Sequence, residues 1–181
     1  MSLDGFVSGP NGELDWTTKD EDEMGKYLIN DLLTTVDTNL IGRNLFQGFQ
    51  SYWPAQVTNK EIPKELADFA KWLDDSPKVV YSKTLKTTDW KNSRIISGDL
   101  KDEVTKLKQQ PGGDIVVFGG ARMSASLAGL NLIDEYRFKL EPVVIGAGKA
   151  LFKDVKEKMK LKLINSKNFA SGVQVLYYLP K

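Results

Sequence analysis

Val116-Val117-Phe118-Gly119-Gly120-Ala121-Arg122 reads as an apolar strand, a double-glycine elbow and the opening of a helix. Ile115 to Phe118 has no polar position, as expected of a parallel strand buried on both faces. Met123, Leu127 and Leu130 follow at helical spacing and are placed inward. A second junction has the same build. Asn39-Leu40-Ile41 is a short strand, Gly42-Arg43 turns it, and Asn44 is placed to cap a short helix through Phe49. At such a junction the first-turn N–H groups have no partner in the helix, and the positive end of its dipole faces out. Glycine lets a phosphate approach the backbone, and Arg43 and Arg122 add positive charge. In open α/β sheets ligands sit beyond the carboxyl ends of the strands. Each elbow alone is equally a tight turn, but two at one sheet edge suit a pyrophosphate-containing cofactor.

The flanking elements follow closely, with no repeat or linker. Leu3 to Val7 reads as the tail of a strand that enters the turn Ser8-Gly9-Pro10-Asn11-Gly12. Thr18-Lys19-Asp20-Glu21 reads as a capping box, and Met24, Tyr27, Leu28, Leu32 and Val36 follow at helical spacing. Leu66, Phe69, Ala70 and Leu73 mark another helix, and Lys78 to Tyr81 and Arg94 to Ile96 read as strands. Asp99 caps a helix with Leu100, Val104 and Leu107 on one face, ended by Pro111-Gly112-Gly113. From Glu135 the pattern turns to β. Tyr136, Phe138 and Leu140 alternate with polar residues, as do Leu161 and Leu163, and Val173, Val175 and Tyr177 form the last strand. Asn165 to Gly172 is the expected turn of a closing antiparallel hairpin. This order predicts a mainly parallel sheet with antiparallel strands at one side.

The 181 residues are expected to form one domain, 1–181. Lys and Arg total 25 and Asp and Glu 24, so the net charge of +1 gives no general pull toward nucleic acid or an anionic membrane. The absence of Cys excludes disulfides and thiolate chemistry, and the absence of His removes the usual general base and the commonest metal ligand. Met1-Ser2-Leu3-Asp4-Gly5 has no signal-peptide character, and no apolar run nears the ~18 residues of a membrane helix, so a cytoplasmic location is expected. Gly146-Ala147-Gly148-Lys149 is not a P-loop, because Val143 and Ala150 stand where glycine and a hydroxyl residue are needed.

Ser2-Leu3-Asp4-Gly5-Phe6, Gly12-Glu13-Leu14-Asp15-Trp16, Gly42-Arg43-Asn44-Leu45-Phe46, Phe118-Gly119-Gly120-Ala121, Ile133-Asp134-Glu135-Tyr136-Arg137 and Pro142 to Gly148 occur in this order. Together they resemble the dihydrofolate reductase-like superfamily, in the branch related to the reductase domain of bacterial riboflavin biosynthesis. The resemblance implies a three-layer α/β/α fold around an eight-stranded mixed sheet, with NADPH along its C-terminal edge. It assigns Gly42, Arg43 and Asn44 to the cofactor phosphates. It implies a cis bond between Gly119 and Gly120, with Ala121, Arg122 and Met123 wrapping the pyrophosphate. It places the adenosine 2′-phosphate at Ser82 and Lys83, although Lys83 also suits a solvated turn. A homodimer is implied too. There are two departures from the family pattern. The Ser-Leu-Asp-Gly motif abuts Met1, consistent with a late start or a truncation and a short first strand, and Phe118 stands where the riboflavin reductases often carry Glu, which weakens the case for their substrate.

Hydride transfer to a pterin- or pyrimidine-like ring needs a proton source. Asp15, beside Trp16 and Leu14, is the first candidate, with partial burial expected to raise its pKa. Asp20, Asp22 and Glu23 are explained by a helix dipole alone. Asp4 is expected to shape the loop near the nicotinamide. Trp16 and Trp53 either wall a flat substrate pocket or belong to the core. The loop Gly146 to Gly148 is expected to pack against the loop around Gly9 to Asp15 and gate the site. The reading is therefore an NADPH-dependent reductase of a small heterocycle. The alternative is a non-catalytic dimeric module that kept the fold.

Overall fold

The computed structural model describes residues 1–18, 23–118, 120–153 and 155–181; the side chain of Leu32 lies outside this description. The expected capping box falls on residues 18–21 and so lies mostly outside it, as does Asp22. Two compact units emerge, one of Met1–Glu23 with Ala121–Lys181, the other of Met24–Gly120.

The Met24–Gly120 unit holds a four-stranded parallel sheet. Its elements are α1 (Glu23–Thr35), β2 (Val36–Gly42), α2 (Arg43–Gln56), α3 (Lys64–Asp75), β3 (Lys78–Tyr81), β4 (Ser93–Ile96), α4 (Leu100–Lys108) and β5 (Asp114–Val116); β1 belongs to the other unit. The strand order is β4-β3-β2-β5. Leu40 and Ile41 are both buried, and neighbouring strand residues point to opposite faces, so β2 is covered on both sides. One core joins Ile29 of α1, Ile41, Phe46 of α2, Phe69 and Leu73 of α3, Val80 and Trp90. Asp99 caps α4 as expected, accepting from the N–H groups of Lys101 and Asp102.

Four expectations need correction here. Val36 opens β2 instead of continuing α1. The Thr34 hydroxyl donates to the Asn30 and Asp31 carbonyls, which competes with further helix, and β-branched Thr34, Thr35 and Val36 favour a strand. The N-cap of α2 is Gly42, not Asn44, because the extended Gly42 backbone (φ −75°, ψ 149°) passes straight into the helix. That helix runs past Phe49 to Gln56, with Pro54 inside it. Finally, β5 stops at Val116 and is only half-buried, since it ends its sheet and pairs on one side with β2.

In the other unit, β1 (Phe6–Ser8) pairs antiparallel with β7 (Lys149–Ala150). A second antiparallel sheet has the order β6-β9-β8, from β6 (Tyr136–Leu140), β8 (Leu161–Asn168) and β9 (Gln174–Pro180). Helix α5 (Ala121–Gly129) completes the unit. Val175 and Tyr177 alternate into the core as expected. Leu3 sits in an exposed turn, closed by the Gly5 N–H on the Ser2 carbonyl with Gly5 at φ +87°, so the strand starts only at Phe6. Leu130 lies past the end of α5 and is exposed. β8 extends to Asn168, and the turn is the tighter Phe169–Val173, where the Gly172 N–H meets the Phe169 carbonyl at 2.9 Å. The described residues thus hold nine strands in three hydrogen-bonded sets, where the resemblance implied eight in one sheet. No helix among them is long and apolar enough to cross a membrane.

Candidate functional site

The parallel register of β2, β3 and β4 pairs Gly42 with Tyr81 and Tyr81 with Ile96, so these strand ends share one rim. β5 runs parallel on the other side of β2, with Val116 opposite Asn39, and carries the chain toward the same rim. Gly120, at φ +81°, would place a Cβ 4.0 Å from the Leu45 Cβ in the first turn of α2. Both glycine elbows of this unit therefore open on the same edge. Gly42 has no side chain to cap α2, so the first N–H groups of the helix face the rim without that partner.

Arg43 is exposed, and its Nη1 donates to the Thr84 hydroxyl at 2.6 Å while its Nε donates to Asn44 Oδ1 at 3.3 Å. This ties the turn after β2 to the turn after β3. Ser82 is buried, and its Oγ accepts from the Thr84 and Leu85 N–H groups at 3.2 and 2.9 Å. It shapes the turn, which presents Lys83 and Thr84 to solvent. Thr84 was missed in the sequence; only its Arg43 contact, made across the sheet, marks it. Gly119, and with it the Gly119–Gly120 bond, lies outside the described residues.

In the other unit, Ala121 is half-buried, Arg122 exposed and Met123 buried in the first turn of α5. Asp4 accepts from the Gly146 N–H at 2.8 Å and the Ile145 N–H at 3.3 Å. The Ser2 hydroxyl, then these two N–H groups, hold the Asp4 carboxyl below the usual range. Asp15 is exposed, so the partial burial expected for a proton donor is not met. Trp16 is half-buried, and its indole N–H donates to the Glu13 carbonyl at 3.2 Å. Trp53 packs edge-on to Phe69 at 4.8 Å between ring centres and belongs to the core of the Met24–Gly120 unit.

A family model of the RibD C-terminal domain matches residues 1–175. The chain belongs to the RibD C-terminal domain family. It is 38% identical over 179 residues to the uncharacterized protein YyaP of Bacillus subtilis (strain 168), covering 98% of this chain and 90% of that one. Among solved structures it is similar to a putative riboflavin biosynthesis protein from Shewanella sp. PV-4. That match has a TM-score of 0.73 at 20% identity and covers 100% of this chain and 95% of the other. It is also similar to a dihydrofolate reductase from Enterococcus faecalis. There the TM-score is 0.60 at 13% identity, covering 100% of this chain and 92% of the other. The dihydrofolate reductase-like α/β fold, a parallel sheet with added antiparallel strands, is thereby established for this member of the RibD C-terminal family.

Two charged residues of this family member escaped the sequence reading. Glu141 is buried at 1% exposure, and its Oε1 lies 2.7 Å from Lys139 Nζ. Burial pushes the Glu141 carboxyl up, but hydrogen bonds from Lys139 and Thr18 outweigh it and hold the group below the usual range. The available signal was a charged residue continuing the polar face Arg137, Lys139 and Glu141 directly before Pro142. A groove of about 540 Å³ is lined by Leu33, Val36, Asp37, Trp72 and Asp75, among others. Val36 begins β2, so this groove lies at the end of the strand away from Gly42. Its Asp75 is already paired with Lys71 and Lys91.

Proposed function

We propose that this chain is an NADPH-dependent reductase of a small pterin- or pyrimidine-like heterocycle. The supporting observation is the shared rim at which Gly42, Arg43 and Asn44, the Ser82–Lys83–Thr84 turn and Gly120 meet. Unpaired helix N–H groups and Arg43 suit a pyrophosphate, with Ala121, Arg122 and Met123 as its further contacts. Lys83, with Ser82 shaping its turn, suits the 2′-phosphate. When bound, NADPH supplies the hydride. The E. faecalis reductase structure was solved with NADP(H), which supports the same cofactor here. In this reading Asp15 supplies the proton, Asp4 sets the neighbouring loop, and Trp16 flanks the ring, while Trp53 serves the core instead. One family model spanning residues 1–175 supports treating 1–181 as one domain. The reading includes a cytoplasmic homodimer with no nucleic-acid or membrane partner.

The test is titration of NADPH and NADH against the fluorescence of the four Trp residues. NADPH is expected to saturate below ~1 mM, the upper range of working KM values. NADH should bind at least ~10-fold more weakly, since charge-assisted phosphate hydrogen bonds contribute about 1.5–3 kcal/mol. By the same arithmetic, Arg43→Ala should weaken NADPH about 10- to 100-fold. No NADPH binding at ~1 mM would overturn the reading. The exposure of Asp15 favours a second reading, a non-catalytic module that keeps the fold. It predicts NADPH binding without hydride loss to any heterocycle, and no effect of Asp15→Asn.

A further inference from the structure

The hydrogen bonds within the Gly9–Thr17 segment are local. The Gly9 N–H meets the Glu13 carbonyl at 2.9 Å, the Gly12 N–H meets the Gly9 carbonyl at 3.1 Å, and the Thr17 N–H meets the Leu14 carbonyl at 3.1 Å. The Asn11 N–H and the Trp16 indole N–H both turn back onto Glu13. Thr18, the next residue, is held differently. Its N–H donates to Glu141 Oε2 at 3.0 Å, and its carbonyl accepts from Lys139 Nζ at 3.2 Å. The contact of 2.7 Å between Lys139 Nζ and Glu141 Oε1 closes the triangle. Both backbone groups of one loop residue are thus gripped by an ion pair more than a hundred residues away in sequence.

Only Glu141 of this pair is buried, and an ion pair that takes a carboxylate out of water adds little net stability over an apolar pair of the same size. What it adds here is direction: two charge-assisted bonds fix where Thr18 sits and which way its peptide groups point. Asp15 and Trp16 lie three and two residues upstream, inside the turn that the Thr17 N–H and hydroxyl close onto the Leu14 carbonyl, one residue before Thr18. We propose that Lys139 and Glu141 are positioning residues: they latch Thr18 and so set the Asp15–Trp16 segment on the substrate side of the site. The proposal rests on the reductase reading only in taking that segment as facing substrate. Neither residue of the pair touches substrate itself.

The experiment compares Glu141→Ala, Glu141→Gln and Lys139→Met with the wild type by amide hydrogen exchange, with reductase turnover as a second arm. The Thr18 N–H should exchange at least ~10-fold faster in Glu141→Ala, the equivalent of about 1.4 kcal/mol. Exchange in β9 and β3 should stay unchanged. Glu141→Gln keeps an acceptor for the Thr18 N–H and should restore most of the protection. In the turnover arm, KM for the heterocycle should rise in Glu141→Ala while NADPH affinity holds. Unchanged Thr18 exchange in Glu141→Ala, or protection lost evenly across the chain, overturns the latch. If the wild type binds no NADPH, the reductase reading fails, and the exchange arm still decides the latch.

Discussion

Lys78→Ala is expected to destabilise the fold by about 4 kcal/mol, the scale for leaving buried partners of a charge uncompensated. Lys78 is fully buried at the start of β3. Its Nζ donates to the carbonyls of Leu73, Asp74 and Ser76 at 2.7, 3.0 and 2.8 Å. Leu73 and Asp74 belong to the last turn of α3, whose final carbonyls have no partner within the helix. An ammonium is the side chain that can supply three donors there, at the negative end of the helix dipole. Its charge also lies 4.6 Å from the centre of the Trp90 ring. The alanine variant takes the ammonium donor from all three carbonyls, leaving Leu73 only the Ser76 hydroxyl at 3.4 Å, and opens a cavity. Lys78→Met retains the stem and should lose about 3 kcal/mol, near the lower bound for breaking a buried charge. For a chain of this size, about 4 kcal/mol corresponds to a Tm fall of about 8–16 °C, measurable by calorimetry. A fall below ~3 °C in Lys78→Ala would mean that water replaces the lysine.

Lys78 also carries a pH signature. Burial pushes its ammonium down from 10.5 to about 8. The folded state therefore gives up this proton before the unfolded state does. Relative to Lys78→Met, the wild type should gain stability as pH rises from 8 to 10.5, and that gain should be absent below pH 8. Urea midpoints of both proteins across this range test the sign.

The elements that could be read from the sequence carry their own stop and start signals. Asp99 caps α4 through its own side chain, and the apolar residues of α3 fall on one stripe, so neither needed tertiary information. Lys78–Tyr81 is legible with its observed bounds because apolar Val79 and Val80 sit between helix and turn signals. Val36 misleads because four-residue spacing continues past Thr35, while the hydroxyl bonds that end α1 are invisible in the pattern. The apolar run after Asp114 promised a buried strand, yet burial depends on which neighbours pair with it, and β5 has one within its sheet. The glycine rim was legible because Gly42 and Gly120 each stand between an apolar strand and a helix start, although only Gly120, at φ +81°, has a backbone that calls for glycine. The surroundings of Asp15 and Glu141 were not, because the burial of a carboxylate is decided by distant residues. Lys139 and the loop at Thr18 enclose Glu141, and solvent reaches Asp15.

Gly148→Ala should cost about 3 kcal/mol, the upper end for overpacking, although its backbone is not in the left-handed region. A Cβ there would stand 2.3 Å from the Ser8 carbonyl oxygen and 3.1 Å from Phe6 Cβ. A backbone carbonyl cannot rotate away as a side-chain tip can. Ser8 and Phe6 pair with Lys149 and Ala150 directly after Gly148, so relief requires β1 and β7 to part. Gly146, two residues earlier, is the control. It has φ +74° and nothing within 4 Å of where a methyl group would sit, so Gly146→Ala meets only the left-handed backbone penalty of about 1–2 kcal/mol. The two variants should thus separate close approach from backbone strain in one loop by their urea midpoints. Equal midpoints would mean that β1 is not held against this loop. A larger loss at Gly148, with faster amide exchange at Phe6 and Ser8, would mean that the same contact anchors the strand leading into the Gly9–Thr18 loop. Asp4 accepts from the Ile145 and Gly146 N–H groups, so the loop is held at a second point that a methyl group at Gly148 does not touch.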